Sequence, residues 1–219
     1  MKHQNRKIIF IQDAILSFPN ITQPRTRDNG NSVYQCDLIM ESNHPGFILI
    51  KKEFTQMAAD QWKDKAGAII QHIERTAKLR CYGKGDEKVN SKTGEVYDGY
   101  TNNVYVALKS KKRPQIIKED GSNVDINNDF EYQRESEKLY PGCRVNTAIC
   151  IWLQDNDFGK AVRADLVGIQ FNADGEKLGG DVISGNSIDI SNLFSPIHNF
   201  HNEIPYGDEF ANNLPPFLA

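Results

Sequence analysis

Two stretches of the sequence alternate between apolar and polar residues, and this alternation constrains the fold more than any other feature. In residues 104–108 and 145–153, every second position is apolar or β-branched. Successive side chains of a β-strand point to opposite faces of a sheet, so each stretch predicts a strand with one buried face. The outward faces then carry the polar and aromatic residues Tyr105, Lys109, Lys111, Arg144 and Trp152.

Three more strands and one helix complete the predicted elements. Residues 8–18, 32–40 and 162–171 are rich in β-branched and aromatic residues and are bounded by turn formers, as strands are. Residues 54–79 repeat apolar side chains every three or four positions, which predicts a helix whose apolar stripe, including Trp62, packs on a sheet. The chain is therefore expected to be mainly β with one long helix, an α+β fold.

The order strand, strand, helix, strand, strand, strand is what a small, partly open barrel needs. Periodicity alone does not separate this barrel from another α+β arrangement. We expect the strands at 104–108 and 145–153 to be neighbours that turn Tyr105 and Trp152 toward one open channel. The polar residues 22–31 are expected to form a loop that carries Arg25 and Arg27.

Exposed rings flanked by cations form a stacking surface for nucleobases beside a track for phosphates. The run from Lys109 to Arg113 places four cations within five residues, and no acid interrupts it. Such a run fits contact with a phosphate backbone, whereas its usual fate is a solvated loop. Likewise, the alternative for Tyr105 and Trp152 is burial under a loop or in a dimer interface.

Charge is distributed unevenly along the chain. All 26 lysines and arginines lie at or before Lys177, whereas five of the 29 acidic residues follow it, which leaves 24 acids in the body. A near-neutral body with an anionic tail is typical of nucleic-acid-binding proteins, although a chance excess of surface acids gives the same pattern. No apolar run approaches the length of a membrane span, so we expect no membrane association.

Signals of catalysis are weak. The sequence lacks the nucleophile-elbow, P-loop and zinc-protease motifs, and it implies no cofactor. A metal-dependent nuclease that uses Asp165, Asp174 and Asp181 remains open, but the spacing of these acids also fits turns and strand ends.

Several short blocks follow one another in an order and spacing that resemble a known family. These blocks are residues 98–106, 110–114, 140–146, Trp152, 156–160 and 166–171. They resemble bacteriophage proteins that bind single-stranded DNA through an OB-fold, and they are similar in layout to the helix-destabilising protein of T-odd phages. The match covers residues 98–175, while the N-terminal half agrees only in the order of its elements.

The resemblance implies a five-stranded OB-fold barrel in residues 1–180, with the long helix between strands two and three, extended loops, and a flexible acidic tail at 181–219. It implies a non-enzymatic protein that binds single-stranded DNA without sequence preference during phage replication, recombination or repair. The groove would be formed by rings and cations on the outward faces. Its residues would be Tyr105, Lys109, Lys111, Lys112, Arg113, Arg144 and Trp152. Apart from the resemblance, Lys160 is a further cation that would extend the basic patch.

The same resemblance implies contacts of the tail with phage or host replication proteins such as a DNA polymerase or a helicase–primase, a homodimer, and a location in the cytoplasm of the infected bacterial host. This chain departs from the family pattern because residues 212–219 contain no acid and Phe217 is not the last residue. The alternative reading is an OB-like protein-interaction or virion component that does not bind DNA.

Overall fold

The alternating stretches are strands in the computed structural model, which describes residues 6–26 and 30–179. The strands are β1 (Arg6–Thr26), β2 (Ser32–Met40), β3 (Tyr82–Lys84), β4 (Val104–Ser110), β5 (Gln115–Ile117), β6 (Arg144–Asn156) and β7 (Gly159–Ala173). The helices are α1 (Pro45–Trp62), α2 (Ala66–Arg75) and α3 (Asp129–Ser136). The predicted tail at 181–219 lies outside the described residues.

All seven strands belong to one sheet in the order β3-β4-β2-β1-β6-β7-β5. The five predicted strands are β1, β2, β4, β6 and β7. In the sheet they are adjacent, in the order β4-β2-β1-β6-β7. The prediction of a five-stranded barrel is wrong in its strand count, because a further strand of three residues lies at each edge of the sheet, β3 at one and β5 at the other. The sheet curls until β4 and β7 contact each other, although no hydrogen-bonded ladder joins them.

The core lies on the inner face of this curled sheet. The inward residues predicted for β4 and β6 are buried, and Val106, Leu108, Val145 and Ile149 are fully enclosed. Cys150, which the alternation placed outward, is buried as well. Helix α1 packs on β1 and β6, and α2 packs on β7, so the helices cover one side of the core. None of the helices described is long and apolar enough to span a membrane.

The long helix differs from its prediction in three ways. It begins nine residues earlier, at Pro45, where proline occupies the first turn and the His44 side chain accepts a hydrogen bond from Gly46 N at 3.1 Å. Residues 43–46 have the composition of a turn, but proline is also well tolerated at the first helical position. The helix breaks at Lys63, whose φ is +48°, and resumes as α2, which ends at Arg75. Trp62 is buried in the core, as predicted.

The segment between β4 and β6 contains two elements that periodicity did not indicate. β5 pairs in parallel with β7, and α3 follows it. The middle of the segment forms a small hairpin, in which Ile117 and Asn123 make an antiparallel bridge and Val124 N donates to Ile116 O at 3.0 Å. Buried Tyr132 of α3 donates a hydrogen bond to Pro114 O at 2.7 Å and holds this segment against the sheet.

Gly142 stands where two chain segments meet at the end of the sheet. Its φ is +105°, and a Cβ there would lie 1.8 Å from Glu176 O. We expect Gly142→Ala to lower the free energy of unfolding by roughly 3 kcal/mol or more, because backbone strain and a backbone clash act together. Urea or thermal unfolding measures this loss.

Gly121→Ala is the matched control. Its φ is +83°, but nothing lies within 4 Å of the added Cβ. In this variant only the left-handed backbone conformation lowers the free energy of unfolding, by about 1–2 kcal/mol. Equal losses in the two variants would show that the contact with Glu176 does not constrain the fold.

Candidate nucleic-acid interface

A bulge in β1 turns a phenylalanine toward solvent. The pairing of β1 with β2 shifts register between Ser17 and Asn20, and the Asn20 side chain donates to Phe18 O at 3.2 Å. Phe18 has a φ of +47°, which is a strained conformation for a bulky residue, and its side chain is 40% exposed. Bulges often redirect a side chain at a functional site.

A small hairpin at residues 88–97 stands beside this ring. Val89 and Val96 form an antiparallel bridge, and Tyr97 N donates to Lys88 O at 3.1 Å. The pairing brings Lys88 and Tyr97 together at the base of the hairpin. The Tyr97 ring meets Phe18 edge to face, with 5.0 Å between the ring centroids.

These elements enclose a cavity of about 590 Å³ on the outer face of β1, β2 and β4. Two rings, Phe18 and Tyr97, and three cations, Arg25, Lys88 and Lys109, line it. We call this cavity the aromatic groove. Asp37, Gln35 and Ala107, together with Pro19, Asn20, Leu108 and Pro141, complete its lining.

The floor of the aromatic groove contains a network of hydrogen bonds and one ion pair. Asp37 Oδ2 accepts from Tyr100 Oη at 2.8 Å and pairs with Lys88 Nζ at 2.7 Å. Lys88 Nζ also lies 4.7 Å from the ring centroid of Tyr105. Burial raises the pKa of both Tyr100 and Tyr105, so both phenols stay neutral. Among the described residues that line the groove, Asp37 is the only acid.

The basic loop after β4 continues from the groove. Lys109, Lys111 and Lys112 are exposed, and the loop is shaped by a hydrogen bond from Lys112 N to Ser110 Oγ at 3.1 Å. Neither Lys111 nor Lys112 forms an ion pair with another residue of the described ranges. Four of the predicted site residues, Tyr105, Lys109, Lys111 and Lys112, are therefore brought together at or beside the aromatic groove.

The two predicted arginines make contacts within the fold. Arg113 pairs with Asp129 at 2.7 Å and stacks over Tyr132, with 4.3 Å between the guanidinium carbon and the ring centroid. Arg144 forms an ion pair with Asp13, whose pKa it holds below the usual range. Their contact with a nucleic acid stays a prediction.

Trp152 and Lys160 lie apart from the aromatic groove. Trp152 is half-buried, and its Nε1 donates to Asp165 Oδ1 at 2.9 Å. Lys160 pairs with Asp155, and its Nζ lies 5.6 Å from the ring centroid of Trp62. Contact of a nucleic acid with either residue also stays a prediction.

The expectation that the strands of Tyr105 and Trp152 are neighbours is wrong, because β2 and β1 separate β4 from β6. Tyr105 pairs with Ile39, which pairs with Ile15 of β1, whereas Trp152 pairs with Arg6. Trp152 is not among the residues that line the aromatic groove.

Sequence reasoning missed four residues of the aromatic groove as site residues: Phe18, Arg25, Lys88 and Tyr97. The sequence predicts Phe18 as the end of the first strand and Arg25 as part of a loop, whereas β1 runs on to Thr26. The signal available for Phe18 was the break in alternation at Pro19-Asn20. Lys88 and Tyr97 lie in a polar loop, where only the hydrogen bonds of the hairpin reveal their proximity.

A second cavity, of about 460 Å³, lies on the outer face of β1, β5, β6 and β7. Exposed Phe10 and Val167 and the amides of Gln115, Asn146 and Gln170 line it, and no charged side chain does so among the described residues. It offers nothing to attract a phosphate. The aromatic groove is the better candidate for a polyanion, because it combines rings with cations.

The acids considered for a nuclease are engaged elsewhere. Asp165 accepts from Trp152, and Asp174 accepts from Tyr140 Oη at 3.0 Å, while Asp181 lies outside the described residues. Within residues 6–26 and 30–179, no group of three or more His, Cys, Asp or Glu side chains is arranged to hold a metal ion.

Comparison with known proteins adds an independent finding. The sequence model of the family of the Enterobacter phage Enc34 single-stranded-DNA-binding protein matches residues 7–193. The chain belongs to this Enc34 family. Protein p50 of Acyrthosiphon pisum secondary endosymbiont phage 1 is 28% identical over 185 residues, which are 83% of this chain and 92% of p50. The predicted resemblance to phage single-stranded-DNA-binding proteins is confirmed.

Solved structures of two phage proteins are similar to this chain. The Enc34 protein in complex with single-stranded DNA is similar at a TM-score of 0.60 and 20% identity, over 78% of this chain and 89% of that one. The single-stranded-DNA-binding protein gp2.5 of bacteriophage T7 has a TM-score of 0.47 and 13% identity, over 81% and 95% of the two chains. The likeness to the Enc34 protein shows a shared fold that is mainly β with a long helix.

Proposed function

We propose that this chain binds single-stranded DNA in the aromatic groove and acts in phage DNA metabolism, without requiring a fixed sequence. The observation that carries the proposal is the meeting of two rings, Phe18 and Tyr97, with three cations, Arg25, Lys88 and Lys109, in one open cavity. Membership of the Enc34 family supports it.

The mechanism is stacking combined with charge neutralisation. Every base has a flat face, so Phe18 and Tyr97 can stack bases of any identity. The cations of the groove and of the adjoining loop, Lys111 and Lys112, then neutralise phosphates and release their condensed counterions. Neither step needs a cofactor or a change of covalent bonds. Protection of exposed strands and removal of hairpins follow from such binding.

Finer features belong to the same proposal. The contact between β4 and β7 supports an OB-type barrel in residues 1–180, with β3 and β5 as additions at its edges. We assign the acidic segment 181–219 to contacts with replication proteins, and we propose a homodimer and a place of action in the cytoplasm of the infected bacterium. The protein acts as a binder and not as an enzyme.

Salt dependence of binding tests the proposal directly. We expect the affinity for oligo-dT, measured by fluorescence anisotropy of a labelled strand, to fall linearly on a log–log plot against salt. Each neutralised phosphate of a single strand contributes a slope of about −0.7. Three or four cations, drawn from Arg25, Lys109, Lys111 and Lys112, predict a slope between about −2 and about −3.

Duplex DNA of the same length is the control and should bind more weakly, because its bases are not available for stacking. A flat salt response would argue against the cationic groove. Absence of binding at low salt would reject the proposal and favour the protein-interaction alternative.

A further inference from the structure

An acidic side chain lies on the floor of a groove that otherwise suits a polyanion. Asp37 is on β2, opposite Ala107 of β4, and its side chain is 10% exposed. Both contacts made by its carboxylate, with Tyr100 Oη at 2.8 Å and Lys88 Nζ at 2.7 Å, involve Oδ2. The ion pair with Lys88 compensates the negative charge, so the floor does not repel a DNA strand as a whole.

The other oxygen of this carboxylate has no such contact. Asp37 Oδ1 accepts no hydrogen bond from any residue within 6–26 and 30–179, and Asp37 is part of the groove lining. A carboxylate oxygen only accepts hydrogen bonds. The floor therefore offers an acceptor that is held in place by the two contacts on Oδ2.

Nucleobases differ in what they present to such an acceptor. Cytosine, adenine and guanine carry exocyclic amino groups that project from the ring and donate, whereas thymine and uracil carry only the ring N3–H, which lies between two carbonyl oxygens that a carboxylate repels. The other groups in the groove do not discriminate in this way. Phe18 and Tyr97 stack any base, and the Gln35 amide can both donate and accept.

The polar groups also define how a strand lies in the groove. A phosphate placed on the floor would face the Asp37 carboxylate, whereas Arg25 and Lys109 also line the groove and Lys111 lies beside it. The most favourable orientation of a DNA strand places its phosphates at these cations and its bases toward the floor. This orientation brings the edges of the bases to Asp37.

We propose that Asp37 is a base-selecting residue, which makes the groove prefer bases that carry an exocyclic amino group over thymine and uracil. This inference rests on the proposed function, since it assumes that DNA occupies the aromatic groove. It adds a preference among bases to a protein that needs no fixed sequence, and modest preferences of this kind are compatible with stacking.

Oligo-dC and oligo-dU of equal length provide the sharpest test, because the two bases share one ring skeleton and differ only at position 4 and at the adjoining N3. We expect the full-length protein to bind oligo-dC about tenfold more tightly, because a hydrogen bond to a charged acceptor is stronger than one between neutral groups. Anisotropy should be measured at mildly alkaline pH, where oligo-dC does not self-associate.

Asp37→Asn is the matched variant, since an amide can donate as well as accept. We expect the ratio of the two affinities to fall close to one, while both oligonucleotides still bind. Equal weakening of both oligonucleotides with the ratio preserved would overturn the inference and leave Asp37 a structural anchor for Lys88 and Tyr100.

The wild-type ratio also decides the matter if Asp37→Asn does not fold. Tight binding of both oligonucleotides at a ratio near one would overturn base selection and leave the proposed function intact. Failure to bind either oligonucleotide would reject the proposed function and this inference with it.

Discussion

Replacing Phe18 with glycine is expected to weaken binding of oligo-dT by roughly 5- to 150-fold. Stacking of one base on an aromatic side chain contributes about 1–3 kcal/mol, and the ring of Phe18 is 40% exposed at the aromatic groove. Fluorescence anisotropy with a labelled strand at constant salt measures the change.

The stability of the Phe18→Gly variant should change little, because two effects oppose each other. Glycine adopts the φ of +47° without the cost of roughly 1–2 kcal/mol that a side chain imposes there. The variant loses the edge-to-face contact with Tyr97, which contributes about 0.5–1.5 kcal/mol. We therefore expect the free energy of unfolding to stay within about 1 kcal/mol of the wild-type value.

Phe10→Ala is the control for this experiment. Phe10 lies on the same strand and is 56% exposed, but it lines the uncharged second cavity. Its removal should leave the affinity for oligo-dT unchanged. Equal losses of affinity in the two variants would show that the aromatic groove is not the stacking site. Early melting of Phe18→Gly with intact affinity would make Phe18 a packing residue.

Strand identity could be predicted from the sequence because alternation is a local property. Residues 104–108 and 145–153 bury their inward side chains as expected, because this face of each strand meets the core. Helix boundaries were less predictable. The residues before Pro45 fit a turn and a helix start equally well, and the hydrogen bond between Gly46 N and His44 decides between them.

Strand order and groove composition could not be predicted, because both depend on tertiary contacts. Alternation places Tyr105 and Trp152 outward but does not indicate that two strands separate them. The bulge at Phe18 and the hairpin that presents Tyr97 form through pairings that carry no periodic signal. The charge pattern predicted the site better than the alternation did, since the cationic run that begins at Lys109 adjoins the groove.

Removing the basic loop should affect binding differently from removing a ring. We expect the triple variant Lys109→Ala, Lys111→Ala, Lys112→Ala to bind oligo-dT about tenfold or more weakly at low salt. If all three cations contact phosphates, its log–log salt slope should be shallower than the wild-type slope by about 2, since each lost contact removes about 0.7. The affinities of variant and wild type should therefore converge as the salt concentration rises.

A triple variant with the same change of charge provides the control. Lys52, Lys65 and Lys78 are exposed on or beside the helices, outside the groove, and their replacement by alanine should leave the slope unchanged. An equal loss of slope in both triple variants would mean that net charge, and not the loop, drives binding. Phe18→Gly should lower the affinity at every salt concentration without changing the slope, because stacking releases no counterions. A flatter slope in one variant and a parallel shift in the other would thus separate the phosphate contacts of the loop from the base contacts of the groove.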